Sequence, residues 1–156
     1  MPTGTRAETK TLDRLCALAA AQPGIGSGRV AKGYRRWSED EHFQERVRAL
    51  AAETQGYFWA ALKRVADPPD REWRTVSCVA ELALYVPAQA STDLNAAWEF
   101  ALHLKDVLEE PANYGDGEFP PKIEVEMRGV EALAEGGVTV FELTASSAAR
   151  EETKLP

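Results

Sequence analysis

Few residues in this chain have the side chains that catalysis or metal binding requires. There are two histidines, His42 and His103, and two cysteines, Cys16 and Cys78. A zinc site needs three or four ligands close together, and neither histidine has another histidine, a cysteine or a carboxylate cluster at a recognised spacing. A Ser-His-Asp triad converges in space and so is not excluded by counting, but no nucleophile-elbow motif accompanies either histidine. Cys16 shares a helical stripe with Leu12, Leu15 and Ala19, and Cys78 alternates with Val76 and Ala80. Both read as small buried hydrophobes, too few for a disulfide framework. The expectation is a protein that is not an enzyme and carries no metal or cofactor.

Gly24-Ile25-Gly26-Ser27-Gly28 has the glycine content of a phosphate loop. That chemistry needs a strand before it, a helix after it and usually a Lys-Ser/Thr pair. Here a helical pattern precedes it and Arg29-Val30 follows, so it reads as a helix stop and flexible turn. Two other groups carry more promise. Arg29, Lys32, Arg35 and Arg36 interleave with Tyr34 and Trp37. Stacking and phosphate contact would suit single-stranded nucleic acid, yet the acidic run Glu39-Asp40-Glu41 adjoins the patch. Arg, Tyr and Trp are also the residues that anchor protein interfaces. A structural role and a protein interface both stay open, and the interface is favoured over nucleic acid. Glu124 and Glu126 alternate with Ile123, Val125 and Met127, so they share the face opposite that apolar row. Their default is solvent; the alternative is an acidic sheet face looking onto a channel or a partner.

Charge supports an interaction role. The net charge is −7 over 156 residues, which argues against wrapping nucleic acid with the whole surface. Residues 1–75 carry 13 Lys/Arg and 10 Asp/Glu, whereas residues 76–156 carry 5 and 15. Opposite signs in the two halves, +3 and −10, suit a protein that meets copies of itself. No apolar run approaches the ~18 residues that cross a bilayer, and the N-terminal decapeptide has no hydrophobic signal core, so a cytosolic protein is expected.

The elements that must position these groups follow from periodicity. A helix is expected from about Glu8 to Gln22, ended by the Pro23–Gly28 run. Arg29 to Trp37 is a short strand or an extended loop. Ser38-Glu39-Asp40-Glu41 reads as a capping box opening a second helix, with Phe43, Val47, Leu50 and Ala51 inward and a stop near Gln55-Gly56. Residues 57–66 and 73–86 make a β-hairpin across Asp67-Pro68-Pro69-Asp70, with Val76, Cys78, Ala80, Leu82, Leu84 and Val86 on one face. Ser91-Thr92-Asp93 caps a third helix, Leu94 to Glu110, burying Leu94, Ala97, Trp98, Ala101, Leu104 and Leu108 and leaving Glu109 outside. After an irregular loop from Pro111 to Pro121, Lys122–Leu133 and Val138–Ala145 form a second hairpin around Gly136-Gly137. The fold class is therefore α+β: a mostly antiparallel sheet of about four strands, in two hairpins, packed against helices on one face. Residues 1–145 are expected to form a single α+β domain and residues 146–156 a flexible C-terminal tail.

A leading helix ending in Pro-Gly-Ile, the pair YFWAALKRVA and WRTVSCVAELALYVP, the helix LNAAWEFALHLKDVL and the pair KIEVEMRGVEAL and VTVFELTA together resemble tail terminator proteins of long-tailed bacteriophages. The likeness covers roughly residues 8–145 in element order; the helix at Ser38–Gln55 stands where strand or loop is expected. It implies a structural virion protein of the phage tail, assembled in the host cytoplasm, that forms a homo-oligomeric, hexameric ring. Its partners would be itself, the tail tube protein and the head–tail connector protein. DNA would pass through without specific binding, and no membrane would be involved. The candidate interface is Arg29, Lys32, Tyr34, Arg35, Arg36 and Trp37, and the candidate acidic lumen is Asp116, Glu118, Glu124 and Glu126. Two alternatives are a small acidic inhibitor of the immunity type, pairing with a basic partner, and a small enzyme with an unrecognised site.

Overall fold

The computed structural model describes residues 7–26, 28–33, 41–66, 73–90, 93–114 and 122–152. In chain order these form α1 (Ala7–Ala20), β1 (Val30–Gly33), α2 (Phe43–Ala51), β2 (Tyr57–Ala66), β3 (Trp73–Pro87), α3 (Leu94–Glu109), β4 (Lys122–Leu133) and β5 (Val138–Glu152). The strands make one sheet in the order β1-β2-β3-β5-β4. The fold class is α+β with a mostly antiparallel sheet, and both expected hairpins are present, β2 with β3 and β4 with β5. The fifth strand is β1, which pairs with β2 in parallel, Val30 opposite Phe58. Four residues carry too little periodicity to separate strand from loop, which is why the sequence left this segment open.

Period-two alternation sorts the strand residues onto two faces. Phe58, Ala60, Ala80, Leu82, Leu84, Phe141 and Leu143 point to the side where α1 supplies Leu12, Leu15 and Ala19 and α3 supplies Ala97, Ala101, Leu104 and Leu108. Phe58 and Phe141 are fully buried there, each contributing about 1.5–3 kcal/mol by leaving water. The helices do not all lie on this face. α2 packs Val47 and Leu50 against Tyr85, Val138 and Val140 on the other one, with Phe43 edge-on to Tyr85 at 6.2 Å. Tyr85 alternates out of the main core, and its ring needs a cover of its own; the one-faced arrangement expected from the sequence overlooked that.

Three boundaries differ from the periodic reading. The first residue of α2 is Phe43, with His42 at its N-cap and no side-chain cap bond, so the Ser38 capping box does not open the helix; residues 38–40 lie outside the described residues. The helix ends at Ala51 rather than near Gln55. β5 does not stop at Ala145 but runs to Glu152, with Glu152 opposite Trp73. The long β3 partner supplies backbone hydrogen bonds that reward extension even where the residues beyond Ala145 are polar. At α3 the expected cap holds, the Asp93 side chain accepting from Ala96 N–H at 2.8 Å. Leu94 and Trp98, however, stay exposed instead of joining the buried stripe.

The Gly24–Gly28 turn stops α1, as expected. Gln22 O accepts from both Ile25 N–H and Gly26 N–H, Ile25 is fully buried, and Gly26 sits at φ +93. Gly56 N–H donates to Gly24 O at 2.7 Å, and a Cβ at Gly56 would lie 3.1 Å from Tyr85 O. The turn is thus pinned against the start of β2.

Candidate functional site: the open face of the sheet

Among the described residues, α2 covers the second face of the sheet at the end near Tyr85 and Val138. Beyond it the alternating residues become polar. Register carries one row across three strands: Glu126 of β4 stands opposite Thr144 of β5, which stands opposite Glu81 of β3. The next rows place Glu124 opposite Ser146 and Val79, and Gly129 opposite Glu142 and Ala83. Glu81, Glu124, Glu126 and Glu142 therefore share one surface, although they come from three strands and from distant parts of the sequence. Neighbouring strands lie about 4.8 Å apart, so Glu126 and Glu81, two strands apart, are separated by about 10 Å.

Among the described residues two cations pair with these carboxylates. Lys63 Nζ lies 3.1 Å from Glu81 Oε1, and Arg128 Nη1 lies 3.5 Å from Glu126 Oε1 while its Nε donates to Thr144 Oγ1 at 3.3 Å. Arg128 is the extra residue where the β4–β5 register slips between Met127 and Gly129. The exposed Arg128–Glu126 pair contributes at most about 1 kcal/mol, whereas Glu81 is half-buried in its pair with Lys63. Among the described residues, the four carboxylates outnumber these two cations, which disfavours phosphate and attracts lysine and arginine.

Of the four residues expected to line an acidic lumen, Glu124 and Glu126 lie exposed on this face, and Asp116 and Glu118 lie outside the described residues. Glu81 and Glu142 join them. Alternation put Glu81 on the outer face of its own strand, but only the pairing of β3 with β5 and β5 with β4 reveals the shared surface.

The basic-aromatic segment divides differently. Arg29 Nε donates to Gly56 O at 3.0 Å and Nη2 to Gln55 O at 3.3 Å, and its guanidinium also pairs with Glu53. Lys32 Nζ pairs with Asp13 of α1, and that hydrogen bond raises the ammonium's pKa. These two cations fasten β1 to its neighbours. Tyr34, Arg35, Arg36 and Trp37 lie outside the described residues.

The other chemically capable residues are dispersed. His42 is exposed beside Glu41 at 3.2 Å and Glu45 at 3.8 Å, at the start of α2 on one face of the sheet. His103 is exposed on α3 over the other face, so the two do not meet. Cys16 and Cys78 are both buried, as expected, and burial pushes the Cys16 thiol up to about 11 despite nearby Lys32. Among the described residues no group of three or more His, Cys, Asp or Glu is arranged to hold a metal, and no helix is long and apolar enough to cross a membrane.

One carboxylate has a role that periodicity misassigned. Glu109, expected outside α3, reaches the edge strand: Oε2 accepts from Val125 N–H at 3.0 Å and Oε1 pairs with Lys105 Nζ at 2.5 Å. Burial raises its pKa, but the Lys105 and Val125 hydrogen bonds and the Lys105 charge outweigh that and hold it below the ordinary value. Nearby, buried Tyr114 donates from its hydroxyl to Leu108 O at 2.6 Å, closing the end of α3. Against known proteins, the chain matches no family model and no curated protein sequence.

Proposed function

We propose that this chain is a structural protein of a phage tail that assembles into a ring, as the resemblance to tail terminators implies, with the open face of its sheet turned to the channel. The observation that carries the reading is the gathering of Glu81, Glu124, Glu126 and Glu142 on one face of the sheet, Glu124 and Glu126 exposed and Glu81 and Glu142 half-buried. Negative charge on such a face is suited to letting a phosphate backbone slide past, because it offers repulsion rather than a site at which to stop. The charge asymmetry between the two halves of the chain supports contact between unlike surfaces, as a cyclic ring requires. The partners in this reading are further copies, the tail tube protein and the head–tail connector protein, and the place of action is the virion.

The same face would also attract a basic partner, as an inhibitor of a cationic toxin requires. Negative-stain electron microscopy of the chain mixed with its cognate tail tubes separates the two. Caps at one end of the tubes are expected. Bare tubes, with the chain recovered in a one-to-one complex with a basic protein, would favour the inhibitor.

A further inference from the structure

Among the described residues the sheet has two outer strands, β1 and β4. An outer strand presents backbone N–H and C=O groups on which another strand can pair. β1 is four residues long and offers little of this. β4 is twelve residues long, and one bond shows which of its groups turn outward. Val125 N–H points away from β5, to Glu109 Oε2 at 3.0 Å, so Val125 and Ala145 are a pair that exchanges no hydrogen bonds within the ladder. By the same alternation Ile123 and Met127 turn their N–H groups outward, up to the register slip that follows Met127. A strand added to this edge would need Val125 N–H, and Glu109 already occupies it.

We infer that Glu109 guards the β4 edge, keeping it from pairing with β4 of a second copy. Antiparallel pairing about a two-fold axis would match this outward row to itself, so a second copy is the partner that the guard must exclude. Three features make the guard effective. Glu109 is the last residue of α3, and Lys105 Nζ, one turn earlier, holds Oε1 at 2.5 Å, which leaves Oε2 aimed at the strand. The bond to Val125 N–H is charge-assisted and so stronger than the one a neutral carbonyl of an incoming strand would make. Displacing Glu109 would also strand a half-buried carboxylate beneath the new strand. The register slip at Arg128 bends the same edge further along. The inference stands apart from the ring-forming reading and names an edge through which copies do not join.

Sedimentation velocity of the full chain over a concentration series, with amide hydrogen exchange followed by NMR, tests the guard. In the wild type, Val125 N–H should exchange at least about tenfold more slowly than in an unstructured chain. Glu109→Ala, which removes the acceptor without adding an apolar surface, should associate at a concentration about tenfold below the wild type. That association should slow exchange at Ile123, Val125 and Met127. Glu109→Gln keeps an amide oxygen for Val125 N–H and should sediment as the wild type does. Circular dichroism verifies the fold of both variants; should Glu109→Ala lose it, the wild-type exchange at Val125 still decides. Exchange there at the unstructured rate would overturn the guard. So would a folded Glu109→Ala that associates no more than the wild type, or one whose association leaves residues 123–127 unprotected. None of these results alters the case for the ring, which the tail-tube experiment decides.

Discussion

The two faces of the sheet are built from the same alternating strands and yet do opposite things. On one, α1 and α3 lay a continuous apolar stripe over Phe58, Leu84 and Phe141, and the residues that matter are matched in shape. On the other, among the described residues, α2 covers the end around Tyr85 and Val140, and the remainder carries glutamates, a threonine and a serine. The first face accounts for why the chain folds. The polar remainder of the second has little to contribute to stability and is free to be specified by charge. Residues that hold the fold and residues that set its surface chemistry therefore alternate along β3, β4 and β5, one position apart.

Substitutions on the two faces should separate these roles. The largest effect belongs to the covered face: Phe141→Ala should cost about 3–5 kcal/mol in urea denaturation, because it empties the floor beneath Trp98. A smaller loss is expected where α3 is tied to its surroundings. Tyr114→Phe removes the bond to Leu108 O and should cost about 1 kcal/mol.

Glu109 gives the comparison a pH dependence. Its pKa in the folded chain lies below the ordinary 4.5, so its stabilising contribution is complete above that value and is lost as pH falls through the folded pKa. Denaturation midpoints measured from pH 6 down to pH 3 should fall less steeply for Glu109→Gln than for the wild type. Equal slopes would mean that the Lys105 and Val125 contacts do not tune this carboxylate. The smallest stability effect is expected on the open face, where Glu124→Gln and Glu126→Gln should each stay within about 0.5 kcal/mol of wild type. A larger loss there would show that the glutamates hold the fold.

The contrast also explains what the sequence made legible. Strand alternation from Val76 to Val86 and the stripe Ala97, Ala101, Leu104 and Leu108 are local patterns, and both hairpins and the third helix could be read from them. Glu124 and Glu126 were readable as outward-facing by the same alternation. Their companionship with Glu81 and Glu142 was not, because it depends on β5 lying between β3 and β4, a long-range pairing with no local signature. Trp98 and Leu94 fit the helical period of a buried stripe yet stay exposed, and periodicity alone does not record how far the surface beneath a helix extends. Glu109 was misread for a related reason: its partner, Val125 N–H, is a backbone group of a strand that had yet to be placed.

The most direct test of the central claim is a cryo-electron microscopy reconstruction of the chain assembled on cognate tail tubes, with the domain docked into the map. The account predicts a ring in which Glu81, Glu124, Glu126 and Glu142 face the channel. A ring with those four glutamates turned outward to solvent would contradict it.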